Sequence, residues 1–108
     1  MRMWKVNPKI MCRKHLLGEH VELHMMVGTL KKNTSVQGYL DKGILESSHI
    51  KERHEHLVEE MQSRGYNHNS PLDYNDTRNL GKIDVNWSLN ELLRRCSECR
   101  EKHKNFNE

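Results

Sequence analysis

Two groups in the first part of this chain have the chemistry to act on an electrophilic carbon. The first is the α-amine of Met1. The sequence opens Met1-Arg2-Met3-Trp4, and arginine is too large at the second position for the usual removal of an initiator methionine, so Met1 is expected to keep its amine. An α-amino group ordinarily titrates near ~7.7–8.0, against ~10.4 for lysine, so near pH 7.5 roughly a third of such amines are neutral and nucleophilic. The second is the carboxylate of Glu22, within His15-Leu16-Leu17-Gly18-Glu19-His20-Val21-Glu22-Leu23. An amine nucleophile with one carboxylate to move protons suffices for Schiff-base chemistry.

Bringing those groups together requires a scaffold, and the apolar spacing supplies three helices. The first is expected from about Cys12 to about Lys32, with Leu16, His20, Leu23, Val27 and Leu30 on one face. His15, Glu19, Glu22 and Met26 form the neighbouring stripe, where a site wall would stand. The second is expected from about Ser48 to Arg64-Gly65, with Ile50, His54, Leu57 and Met61 inward and Gly65 as the C-terminal cap. The third carries the capping-box signature Ser88-Leu89-Asn90-Glu91 and a stripe of Leu89, Leu92, Leu93 and Cys96. The connections, rich in glycine, asparagine and serine, show no strand alternation. The fold class expected is all-α: one domain over 1–108, three helices with long loops, and a polar end from about 104 to 108 read as a loose tail.

Composition narrows the rest. The chain has 108 residues, 34% of them hydrophobic and 31% charged, with a net charge of +3. Lys5, Lys9, Arg13 and Lys14 join Arg2 ahead of the first acidic residue, and Arg94, Arg95, Arg100, Lys102 and Lys104 load the other end. Were the two ends to meet, they would form one basic face suited to phosphates. No apolar run approaches the roughly 20 residues that span a bilayer, and no signal-peptide segment is visible. A cytoplasmic protein without membrane contact is expected. Three cysteines, an odd number, argue against a secreted disulfide scaffold.

Glycine-rich phosphate loops, nucleophile-elbow serines and the zincin spacing are all missing; His20 and His24 stand four apart, but Val21 follows His20. Cys96, Cys99 and His103 fall near one helical stripe, which makes three potential ligands where a structural zinc wants four. Cys12 would complete the set only by an accident of folding. Cys96 is therefore read as a small core residue, His54 as a buried hydrogen-bonded histidine, and no metal or other cofactor is expected. Trp4, Tyr39, Tyr66, Tyr74 and Trp87 offer faces for base stacking, two or three of them being needed for the core.

From Met1-Arg2 through His15-Leu16, Glu19 and Glu22-Leu23, the chain resembles the phage endonuclease V, or pyrimidine dimer DNA glycosylase, family. A second block, Leu57-Val58-Glu59-Glu60-Met61-Gln62-Ser63-Arg64-Gly65-Tyr66, is similar to that family's helix closing in Arg-Gly-aromatic. The resemblance implies an endonuclease V-like fold and a monomer that acts on damaged double-stranded DNA. It implies that Met1 attacks C1′ to form an imine, that Glu22 moves protons through β-elimination, and that Arg2 holds a phosphate. His15 would contact DNA or tune Glu22, Glu19 would contact DNA, and Lys5, Lys9, Arg13 and Lys14 would supply further phosphate contacts. Val21 and Met25 stand where the archetype has arginines, and no aromatic-rich tail follows Trp87, so the resemblance speaks for the imine more than for one particular lesion. A non-catalytic nucleic-acid-binding module on the same scaffold is the competing expectation.

Overall fold

Helix α1, Arg13–Lys31, begins where Cys12 turns extended and its sulfur accepts the His15 amide. It buries Leu16, Leu23, Met26, Val27 and Leu30 against Ile50, Leu57, Val58 and Met61 of α3, Ile50–Ser63. These two helices are the frame, and both lie within two residues of the boundaries read from the sequence. The computed structural model describes residues 1–68 and 70–107; among these there is no strand, and α-helices number five where three were expected. The first additional one is α2, Gln37–Asp41, a single turn inside a segment expected to be loop. At the end of α3, Gly65 takes φ +81°, its amide reaches Gln62 O and that of Tyr66 reaches Met61 O. Those paired bonds cap the helix, and glycine adopts the left-handed conformation without steric cost.

The other correction lies at the carboxyl end. Here α4 runs Val85–Arg95 and starts at Asp84, whose side chain accepts the Trp87 amide. Ser88, expected to be the cap, is fully buried inside the helix, and its hydroxyl donates to Trp4 O at 2.5 Å. A tertiary partner has taken the oxygen that a capping box would use locally. Cys96 then turns extended, with φ −127° and ψ 111°, and caps a new helix, α5, Ser97–Phe106. Residues 104–106, expected as a loose tail, complete its last turn, and Glu108 lies outside the described residues.

The first dozen residues run through the core. Met3, Trp4, Val6, Ile10, Met11 and Cys12 are buried, and the Met3 amide donates to Ile44 O at 2.8 Å. A short 3-10 turn, Pro8–Ile10, packs on both α3 and α5. Arg53 of α3 fastens this segment from below, donating to Val6 O at 2.5 Å and to Met11 Sδ at 3.4 Å. The two ends of the chain do meet, through Ser88 on Trp4 and Cys99 on Cys12. No helix of the described residues is long and apolar enough to cross a membrane.

Candidate active site

Threading the first residues between α1 and α4 brings them to the middle of α1. The Arg2 amide donates to Glu22 Oε2 at 3.3 Å, so the Glu22 carboxylate is tied to the residue that follows Met1. Both Met1 and Glu22 are half-buried, partly shielded and still open to solvent. Arg2 lies flat over Trp4, its guanidinium carbon 3.8 Å from the ring centroid, and 5.7 Å from that of Trp87. Its Nε and Nη2 are buried and have no partner among the described residues. Burial, with Arg95 pushing the same way, lowers its pKa from the ordinary arginine value. A buried guanidinium with idle donors is built to receive an anion.

Arg2 divides two hollows. One, of about 550 Å³, has Met1, Arg2, Tyr39, Lys42, Trp87 and Arg95 in its walls. The other, of about 250 Å³, lies against Arg2, Trp4, Lys14, His15, Gly18 and Glu22. Trp87 is 46% exposed, whereas Trp4 belongs to the core. Of the expected base-stacking faces, Trp87 and Tyr39 are the ones beside Met1. Lys42 escaped the sequence reading because it stands alone in a turn, 20 residues from Glu22. Arg95 was visible only as one of a basic cluster; Glu91 holds it and Arg94, each at 2.6 Å.

The remaining expected DNA contacts separate. Lys14 joins the smaller hollow. Lys5, in a left-handed backbone conformation with φ 57°, is held by Glu46 at 2.6 Å and lines neither hollow, because Glu46 draws it to the other side of the segment. Exposed Arg13 leans over Tyr66, 5.0 Å from its ring centre. Glu19 is 1% exposed, and Arg53 occupies both its oxygens, Nε to Oε2 at 2.7 Å and Nη2 to Oε1 at 2.8 Å. Glu19 also borders the smaller hollow, with both its oxygens engaged by Arg53. His15 borders the smaller hollow, but its Nδ1 turns inward to the sulfurs of Cys12 and Cys99, at 3.2 and 3.8 Å. His103, expected beside Cys96 and Cys99, instead meets Asn107 on α5; the break at Cys96 removes the single stripe on which that expectation rested.

Four imidazoles gather on the far side of α1. His20 Nε2 lies 2.9 Å from His68 Nε2, and the His54 ring is within 5.3 Å of the centroids of His20, His24 and His68. His54 is fully buried, with Glu55 on Nδ1 and no partner on Nε2. Burial, then the nearby His54, His24 and His68 rings, pushes the His20 pKa from 6.5 down to about 4. The unfolded chain would therefore bind a proton at His20 near pH 6.5 that the folded chain refuses until about pH 4. Stability is full above about pH 6.5 and declines as pH falls to about 4, by on the order of 2–3 kcal/mol from this group. Urea unfolding at pH 7.5, 6, 5 and 4 measures it; His20→Gln should flatten the decline, and an unchanged slope in that variant would remove the effect from His20.

No curated protein and no solved structure matches the chain. Met1 and Glu22 nevertheless lie inside a segment that is recognised: the family described as pyrimidine dimer DNA glycosylase matches residues 1–74. That is more than half of the chain and includes Met1, Arg2 and Glu22. The chain belongs to the pyrimidine dimer DNA glycosylase family.

Proposed function

We propose that this protein is a DNA glycosylase with abasic-site lyase activity, working on damaged duplex DNA through an imine on Met1. The observation that carries the reading is the Arg2 amide on Glu22, which ties the carboxylate to the residue after Met1, at the divide between the two cation-lined hollows. The neutral amine attacks C1′ and the N-glycosidic bond breaks, the base leaving with a proton. Opening of the sugar ring, with a proton delivered to its oxygen, leaves the amine joined to C1′ as a protonated imine. That imine withdraws electrons from C2′; a C2′ proton is lost, the C3′–oxygen bond breaks, and the strand is cut. Water then hydrolyses the imine and frees the amine. Glu22 takes up the proton shed by the attacking amine, passes it to the ring oxygen and, ionised again, accepts one from C2′; its charged form steadies the cationic intermediates.

The walls fit the substrate. A nucleotide must leave the stack for C1′ to be reached, and Trp87 and Tyr39 flank the larger hollow as stacking faces for an extruded base. Arg2, Lys42 and Lys14 supply phosphate contacts around it. Borohydride, which reduces the imine to a stable amine, is expected to trap a covalent adduct on abasic and on ultraviolet-irradiated duplex, with the label mapping to the Met1 peptide. One residue added before Met1 should abolish trapping while leaving the fold intact. A folded protein with a free Met1 that binds duplex and is never trapped would instead be a binding module.

A further inference from the structure

We propose that Cys12, His15, Cys96 and Cys99 form a four-ligand site for a structural zinc ion. Their donor atoms all lie within 4.8 Å of one another. A tetrahedral zinc with Zn–S of about 2.3 Å and Zn–N of about 2.0–2.1 Å separates sulfurs by about 3.8 Å, and sulfur from nitrogen by about 3.6 Å. The sulfurs of Cys12 and Cys96 are 3.8 Å apart. His15 Nδ1 is 3.2 Å from the Cys12 sulfur and 3.8 Å from that of Cys99. Those three separations lie close to the edges of such a tetrahedron, and the other three are within 4.8 Å.

The sequence pattern becomes visible once the pairs are seen together. Cys12-Arg13-Lys14-His15 and Cys96-Ser97-Glu98-Cys99 have the same two-residue spacing. Each begins with the residue that caps a helix and ends in that helix's first turn, on α1 and on α5. Both helix N-termini therefore point into the cluster. Zinc with three thiolates and a neutral imidazole carries a net charge of −1, which helix N-termini favour. The amides of His15 and Cys99 donate to the Cys12 and Cys96 sulfurs at 3.5 and 3.4 Å, and the Cys12 amide donates to Cys99 Sγ at 3.2 Å. Such N–H donors steady thiolate charge and orient the ligands. Three sulfurs and one imidazole are the soft set that selects zinc over magnesium or calcium.

The ion would join the first turn of α1 to the elbow between α4 and α5, just behind the wall of Arg2, Trp4 and Glu22. His15 would then be a ligand and not a DNA contact. The site stands independently of the imine reading, and its second pair lies beyond the matched segment 1–74.

Elemental analysis of the full chain, purified under reducing conditions, is expected to find one zinc per chain. Cobalt(II) exchanged into it should give the intense visible bands of a tetrahedral thiolate site. His15→Ala and Cys96→Ser should lose the ion, and His15→Cys should keep it with a shifted cobalt spectrum. His103→Ala and His68→Ala should stay fully loaded, the second separating this site from the histidine cluster. Chelator should expose three titratable thiols and lower Tm. A folded wild-type chain that takes up neither zinc nor tetrahedral cobalt overturns the proposal, as does a disulfide among the three cysteines. So does an ion that survives Cys96→Ser but is lost with His68→Ala. Should Cys96→Ser fail to fold, the wild-type cobalt spectrum and the His15→Cys rescue still decide.

Discussion

Glu22→Gln is expected to lower strand cleavage on abasic duplex by about 10²–10⁴-fold, the range removed with a general acid–base group. DNA affinity should change little. Glutamine is nearly isosteric, and its carbonyl oxygen can accept the Arg2 amide as Glu22 Oε2 does at 3.3 Å. Placement of the first residues is thus preserved, while the negative charge and the proton acceptor disappear. Single-turnover cleavage beside equilibrium binding separates the two. Cleavage within about threefold of wild type, on the scale of general acid–base effects, would take Glu22 out of the reaction.

The largest expected loss of stability comes from Glu19→Gln or Arg53→Met. The pair is buried on both sides, with side-chain exposures of 4% and 0%, so removing one member strands the other's charge away from water. That costs about 3–5 kcal/mol, whereas replacing both by apolar groups recovers much of it. For a domain of this size the single changes should lower Tm by more than about 10 °C. Thermal and urea unfolding of the singles and of Glu19→Leu/Arg53→Met provide the test. A loss under about 1 kcal/mol would contradict the buried-charge account. Arg53 has a second effect, because it joins Val6 O and Met11 Sδ to α3. Its removal should loosen the segment that carries Met1, and so reduce cleavage beyond what unfolding explains.

These residues also show where the sequence was legible. The apolar stripe of α1 and the glycine closing α3 are local signals, and both helices came out within two residues. Met1 and Glu22 were paired by their chemistry and by resemblance to a family, and the bond that ties Glu22 to the Arg2 amide spans 20 positions that no local signal bridges. The pairing of Glu19 with Arg53 was not legible because its partner stands 34 positions away on α3, and nothing local distinguishes a buried carboxylate from a solvated one. Ser88 matched a capping box, but Trp4 O, 84 positions distant, claimed its hydroxyl. The break at Cys96 carries no glycine or proline. Without it the cysteines read as one helical stripe shared with His103, and the equal spacing of Cys12/His15 and Cys96/Cys99 went unused.

The closure of the two ends on one another has a consequence for biosynthesis. Met1 and Glu22 are translated well before Trp87 and Arg95 of α4, which wall the hollow beside Met1. Trp4 waits for Ser88, Cys12 for Cys99, and Arg2 for Trp87. Contacts so distant in sequence slow folding and form late. An emerging chain therefore holds its amine and carboxylate unassembled until α4 and α5 have been made. A product cut short before α4 would retain both reactive groups and still lack the enclosure that makes them a site.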